Sequence, residues 1–168
     1  GRIAGTLPYT DERRVAIGRA LMGRPRFLLL DEPAAGMSAP EAADLSALIR
    51  RIAEELGCGV LLIEHNVGLV LGLCDHIVVL DAGVRLAMGT PAQVQADPAV
   101  RQAYLGETTD AAQARPGSRS TTTDAQEPPV EMLGVGQLVA GYGAEPVLHG
   151  IDLQVRRGEF VALLGANG

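Results

Sequence analysis

Between Thr108 and Pro129 the chain runs for 22 residues without one Ile, Leu, Val, Met, Phe, Tyr or Trp. Thr, Ser, Ala, Gln, Pro and charged residues fill the stretch, ending in RPGSRSTTTDAQEPP. Such a segment cannot bury enough apolar surface to offset the entropy of ordering it, so it reads as a flexible linker. A flexible chain of this length spans roughly 25 Å at about 5–6 Å × √n. It divides the sequence into a segment 1–107 and a segment 130–168, and any fold must be assembled from those two pieces.

Outside the linker there is material for a core. Hydrophobic residues make up 47% of the 168-residue chain, but aromatics only 3%, and Trp is absent, so the core must be aliphatic. Lys and Arg number 14 against 20 Asp and Glu, a net charge of −6, which argues against a nucleic-acid surface. Two cysteines, Cys58 and Cys74, are too few for a disulfide framework or a paired-Cys zinc site and read as small core residues in a reducing compartment. The longest apolar stretch, Val67 to Cys74, has eight residues, against about 20 needed to span a bilayer. No basic region followed by an apolar one opens the chain, so no signal peptide is expected. The sequence begins at Gly1 and stops at Gly168 inside a motif, so it reads as a fragment.

The first segment alternates helix and strand. A helix is expected over Glu12–Met22 and buried parallel strands over Phe27–Leu30, Val60–Ile63 and Ile77–Leu80. Ser38-Ala39-Pro40-Glu41 is a capping box with Pro just inside the helix. The helix it opens carries Leu45, Leu48, Ile49, Ile52 and Leu56 as one apolar stripe, and Gly57 is its expected C-cap. A short helix to Leu73, a turn at Asp81-Ala82-Gly83, a strand over Val84–Ala87 and a helix capped by Thr90 follow. This alternation means an α/β fold with parallel strands at its centre. In the second segment Ile151, Leu153 and Val155 alternate with polar residues as a half-buried strand. Arg157-Gly158-Glu159 turns, and Phe160–Leu164 is again wholly apolar.

Several apolar strands end in chemistry-bearing residues. Leu28-Leu29-Leu30 runs into Asp31-Glu32-Pro33. Ligands of open α/β sheets bind at the carboxyl ends of strands, where one carboxylate can hold Mg²⁺ on a nucleotide and a second can orient an attacking water. Taken alone, an Asp-Glu pair after a strand is most often just an acidic turn. The next strand ends in Glu64-His65, so its tip is expected beside the first, where an imidazole can contact a γ-phosphate; a lone histidine there is more often held by a local hydrogen bond. Leu7-Pro8-Tyr9-Thr10-Asp11 precedes a helix bearing Arg13, Arg14 and Arg19, and a helix N-terminus suits an anion, although such arginines also serve as a solvated face. Gly165-Ala166-Asn167-Gly168 follows a buried strand, as a phosphate loop requires, but the glycine and lysine that would complete the pattern would lie beyond Gly168.

In combination and at this spacing the motifs resemble the nucleotide-binding subunits of ATP-binding cassette (ABC) transporters, a family with a P-loop NTPase-type parallel sheet core and flanking helices. The resemblance implies that Leu7, Pro8, Tyr9, Thr10 and Asp11 stand at the signature loop and that Asp31 helps hold Mg²⁺. It makes Glu32 the catalytic carboxylate, Ala34 to Ser38 the D-loop and His65 the switch histidine. DEPAAGMS, LLIEHN and the tail GTPAQVQADPAVRQAYLGE are similar to the branched-chain amino-acid uptake group. The second segment resembles the start of a second cassette, incomplete here and opening on an antiparallel β region. In it Tyr142 stands where the family stacks an aromatic on adenine, and Gly165, Ala166, Asn167 and Gly168 begin the phosphate loop.

The resemblance implies an ATP-hydrolysing energy subunit of an importer for branched-chain or related amino acids. Its ligands are ATP and Mg²⁺, and its place is peripheral, on the cytoplasmic face of the cell membrane. Its partners are membrane permease subunits, a second cassette and, indirectly, a periplasmic or extracellular substrate-binding protein, with no nucleic acid. Family cassettes pair head to tail, so Leu7–Asp11 and the 130–168 loops would share one composite site and Asp31, Glu32 and His65 would serve the other. Pro8 and Thr10 depart from the family's serine and glycine. A circularly permuted single cassette and a non-transport ABC-type ATPase stay open as alternatives, and the chain by itself is expected to be inactive. Limited proteolysis should cut first at Arg115 and Arg119; cleavage within 1–107 while both arginines resist would contradict the linker.

Overall fold

The computed structural model describes residues 9–105, 130–143 and 145–165. The expected linker, Leu7, Pro8 and the Ala166-Asn167-Gly168 end of the glycine-rich turn lie outside them. Helix α1 (Tyr9–Leu21) leads into β1 (Phe27–Asp31), α2 (Ala39–Leu56), β2 (Gly59–Glu64), α3 (Val67–Leu73), β3 (His76–Asp81), β4 (Val84–Gly89) and α4 (Pro91–Ala96). A short α5 (Pro98–Val100) continues as a π-helical turn, Arg101–Leu105. The second segment supplies β5 (Glu131–Tyr142), β6 (Glu145–Arg156) and β7 (Phe160–Gly165).

Local sequence accounts for most boundaries. The Ser38 backbone N–H donates to the Glu41 carboxylate at 2.9 Å and its hydroxyl donates to the same oxygen at 2.6 Å, fixing the start of α2. Gly57 ends that helix with φ 60°, its N–H returning to the Ala53 carbonyl. The buried face of α2 is Ala42, Leu45, Ile49 and Ala53, whereas Leu56, expected on the stripe, is 46% exposed. Helix α1 starts earlier than expected, so Tyr9, Thr10 and Asp11 form its first turn rather than a loop; Asp11 and Glu12 there complement the helix dipole.

The strand order β1-β2-β7-β3-β4 joins the two segments. Strand β7 pairs in parallel with β2 on one side (Val60↔Phe160 to Glu64↔Leu164) and with β3 on the other (His76↔Val161 to Leu80↔Gly165). Phe160, Val161, Ala162 and Leu164 are each at most 2% exposed. The Asp75 side chain accepts the Phe160 N–H at 2.9 Å while the Asp75 N–H donates to the Phe160 carbonyl at 2.8 Å, setting the register from the first residue. The expectation of segments 1–107 and 130–168 as parts of two cassettes thus meets one shared sheet in this structure. A strand that is apolar on both faces requires a partner on each edge and cover on each side, and the gap between β2 and β3 supplies both partners.

Two apolar clusters cover the two faces. On one, Leu28, Leu30, Val60, Leu62, Ile77, Val79, Ala162 and Leu164 pack with α2 and α3 residues. On the other, Leu61, Val78, Leu80 and Val161 meet Ile151, Leu153 and Val155 of the antiparallel β5–β6 hairpin. That hairpin does not cover β1, so Leu29 is 58% exposed where the sequence predicts a strand buried throughout. The far end of the hairpin is tied to the turn between β3 and β4 by His149 N–H donating to the Gly83 carbonyl at 2.9 Å. Gly83 is required there: its φ is +75° and a Cβ would stand 1.7 Å from the Val147 carbonyl oxygen.

The sequence does not mark α5, the π-helical turn or strand β5; the exposed, glycine-interrupted run of β5 has no strict alternation to find.

Cys58 and Cys74 are buried and free, as expected. Burial pushes the Cys74 thiol from 9.0 up to about 12, with the adjacent Asp75 carboxylate adding to it.

Two predictions follow from this packing. After proteolysis in the 108–129 stretch the two products should co-elute on gel filtration without denaturant, because β7 lies inside the sheet; separation into two species would contradict that placement. Cys74 should resist thiol reagents in the native chain and react on unfolding. Because its folded pKa is raised, the thiol favours the folded state fully below pH 9 and that contribution is lost between pH 9 and about 12. Urea midpoints measured from pH 7 to 11 with and without Cys74→Ala check the sign.

Candidate functional site: the carboxyl edge of the sheet

Parallel pairing aligns the ends of four strands, β1, β2, β7 and β3. Asp31 is in register with Ile63, Glu64 with Leu164, and Leu80 with Gly165. The residues following β1 and β2 therefore share one edge with the last residue of β7. Glu32 and His65, expected at neighbouring tips, do meet there: His65 Nδ1 lies 3.2 Å from Glu32 Oε1. Both side chains keep access to solvent, at 50% for His65 and 33% for Glu32.

Glu32 is held in an unusual conformation. Its φ is +41°, a left-handed value that non-glycine residues adopt at a cost. Its N–H donates to the Ile63 carbonyl at 2.9 Å, and its own carbonyl accepts from Ala35 at 3.1 Å. A second turn, Met37 N–H to the Ala34 carbonyl at 3.1 Å, carries the loop to Ser38. The hydrogen bond to β2 and the following turns sharply reverse the chain after β1 and aim Glu32 at the β2 tip. Asp31 closes the strand itself and is exposed at its end.

The β2 tip is shaped by its own sequence. Asn66 caps α3, its side-chain oxygen accepting the Leu69 N–H at 3.1 Å. His65 is thereby fixed between the end of a strand and the cap of a helix. Glu64, which the sequence analysis mentions only as His65's neighbour, is 2% exposed and accepts backbone N–H groups from Ala34 at 3.1 Å and Asn66 at 3.4 Å. The signal for it is a carboxylate at an inward position of a strand whose other inward positions are aliphatic.

The remaining predicted site residues are distributed unevenly. Gly165 ends β7 beside the β2 tip, so it shares an edge with Asp31, Glu32 and His65, because β7 is seated between β2 and β3. Tyr142 ends β5 in the hairpin that His149 ties to Gly83, and its ring is 94% exposed, stacked on nothing among the described residues. Asp11 stands in the first turn of α1, 3.9 Å from Arg14. Tyr9 and Thr10 begin that helix. Leu7, Pro8, Ala166, Asn167 and Gly168 lie outside the described residues.

No group of three or more metal-ligating side chains occurs among the described residues. The exposed carboxylate of Asp31 suits an ion brought in on a nucleotide rather than one caged by protein, since Mg²⁺ is commonly held by one or two carboxylates plus substrate phosphates.

Residues 84–110 match the family model for the branched-chain amino acid ATP-binding cassette transporter. Over this stretch and beyond it, the chain is similar to ATP-binding cassettes of ABC transporters. It is 53% identical over 106 residues to the high-affinity branched-chain amino acid transport ATP-binding protein BraF of Pseudomonas aeruginosa, covering 63% of this chain and 42% of that one. The high-affinity branched-chain amino acid transport ATP-binding protein LivG of Escherichia coli K12 is 44% identical over 106 residues with the same coverage. The lipopolysaccharide export ATP-binding protein LptB of Acidithiobacillus ferridurans is also 44% identical, over 97 residues, covering 58% of this chain and 40% of its own. A crystal structure of an ATP-binding cassette of an ABC transporter in its ADP conformation superposes with a TM-score of 0.55 at 36% identity, covering 63% of this chain and 43% of the other. The chain thus spans less than half the length of the relatives it matches. The α/β P-loop fold expected from the sequence agrees with these neighbours.

Proposed function

We propose that the longer protein to which this cassette sequence corresponds hydrolyses ATP to drive an importer of branched-chain or related amino acids. The observation that carries the reading is the Glu32–His65 contact at 3.2 Å on the carboxyl edge of a parallel sheet, beside the end of β7. The match of residues 84–110 to the branched-chain amino acid family model supports the cargo class.

In this reading Glu32 accepts a hydrogen bond from the attacking water and orients it toward the terminal phosphate. His65, held by Glu32 and by the capped start of α3, contacts that phosphate and helps position it. Asp31 binds the Mg²⁺ that accompanies ATP, which supplies charge neutralisation on the phosphates. Gly165 opens the phosphate-binding turn continued by Ala166, Asn167 and Gly168, and Tyr142 offers its exposed ring to adenine. Leu7, Pro8, Tyr9, Thr10 and Asp11 serve the nucleotide of a partner cassette, where the N-terminus of α1, which Tyr9 begins, favours an anion. Membrane permease subunits and a second cassette are the partners this assigns, with an external substrate-binding protein acting through them. The protein then sits peripherally on the cytoplasmic face of the membrane, in keeping with the absence, among the described residues, of any helix long and apolar enough to cross one.

Two arrangements of the segments are compatible with this chemistry. Segments 1–107 and 130–168 belong to two successive cassettes joined by 108–129, or they form one permuted cassette. The position of β7 between β2 and β3 favours the permuted arrangement within this chain.

In the full-length protein Glu32→Gln should lower kcat by about 10²–10⁴-fold, the range of a lost general base, while ATP binding persists. Asp31→Asn should instead weaken Mg²⁺-dependent nucleotide binding. Phosphate release and titration with a fluorescent ATP analogue measure the two effects. Loss of nucleotide affinity in Glu32→Gln as severe as in Asp31→Asn would reverse the two assignments.

A further inference from the structure

Glu64 is the one buried charged side chain among the described residues, 2% exposed. It ends β2, next to His65, and its two carboxylate oxygens reach different loops. Oε1 accepts the N–H of Ala34, itself 8% exposed, at 3.1 Å, across 30 residues of sequence. Oε2 accepts the N–H of Asn66 at 3.4 Å. The first contact anchors the loop that carries Glu32; the second anchors the turn that carries His65. Glu32 has no strand or helix of its own to hold it, and it sits in a left-handed conformation that relaxes unless its surroundings enforce it. Two ties enforce it: its N–H bond to the Ile63 carbonyl, and the hold of Glu64 on Ala34 two residues later.

A buried carboxylate is costly unless its oxygens are satisfied, and a purely structural strand position would be filled at less cost by an aliphatic residue, as at Val60 and Leu62. What the carboxylate adds is a fixed distance between the two loops. We infer that Glu64 is a positioning residue that sets the Glu32–His65 geometry by clamping the Ala34 and Asn66 amides. This rests on the catalytic reading of Glu32 and His65 given above. The effect works through backbone, so it should appear in turnover and not in nucleotide binding. A misplacement of about 1 Å can cost up to ~10²-fold in rate.

The test compares Glu64→Ala and Glu64→Gln with the wild type in the full-length protein. Gln keeps one oxygen for the Ala34 amide but turns an NH₂ toward Asn66, so it should rescue in part. Expected are a 10–100-fold fall in kcat for Glu64→Ala, an intermediate fall for Glu64→Gln, and KM for ATP within about twofold of wild type for both. Hydrogen exchange should quicken at the Ala34 and Asn66 amides while the β1 and β2 amides keep their protection. Unchanged kcat in Glu64→Ala would overturn the inference. So would a parallel rise in KM with loss of β1 and β2 protection, which marks general loosening. If the wild-type protein itself fails to hydrolyse ATP, the functional reading falls, and the exchange arm still decides the clamp: unaltered Ala34 protection in Glu64→Ala overturns it.

Discussion

The structure depends on the parallel pairing of β7 with both β2 and β3. Without that strand the sheet has no continuous hydrogen-bonded ladder between the β1–β2 pair and the β3–β4 pair. Val60, Asp75 and Phe160 anchor the insertion at its start: Val60 N–H reaches the Glu159 carbonyl at 2.8 Å, and Asp75 and Phe160 exchange bonds. Ala162, with no exposure at all, lets the helices on one face approach, while Val161 meets the hairpin on the other. Because parallel strands point the same way, this one insertion also aligns the carboxyl ends on which every proposed site residue of the sheet depends.

The edge so formed joins a rigid part to a strained one. Strand ends fix Asp31, Glu64 and Gly165 by register. Glu32 and His65 lie one residue beyond, in loops, and are brought together by hydrogen bonds that cross from β1 to β2. Loops braced by a sheet give their side chains both access and precision: Glu32 and His65 stay open to solvent while the loops that carry them are tied down. The helices contribute from outside. Asn66 begins α3 and thereby holds the turn at His65, and the Ser38–Glu41 pair stops the β1 loop by starting α2.

The likenesses to known cassettes rest on well under half of each relative, yet they agree with the geometry in kind. The same stretch of sequence is similar to amino-acid uptake proteins and to a lipopolysaccharide export protein. Both relatives are ATP-binding proteins by name, so the shared stretch does not separate their cargoes. The stretch that matches the branched-chain amino acid family model is residues 84–110, whose described part runs from β4 through the short helices to Tyr104, which donates a hydrogen bond to the Leu80 carbonyl.

Much of this was legible in the order of residues. Capping residues, glycine stops and runs of aliphatic residues are short-range signals, so α2, α3, α4 and the strands β1 to β4 and β7 stand within a residue or two of where the sequence puts them. The pairing of Glu32 with His65 was legible too, because two parallel strands ending in polar residues bring those residues together. Three things were decided only by tertiary structure. The sequence could not say which sheet β7 would enter, since an apolar strand fits any gap that offers two partners. It could not show that Leu29 is exposed, because burial of the second face depends on how far the β5–β6 hairpin reaches. Nor could it single out Glu64: its importance lies in reaching Ala34 30 residues away, a contact that exists only after β1 and β2 lie side by side. Local chemistry writes elements into a sequence, but which elements become neighbours is settled by the packing of the whole.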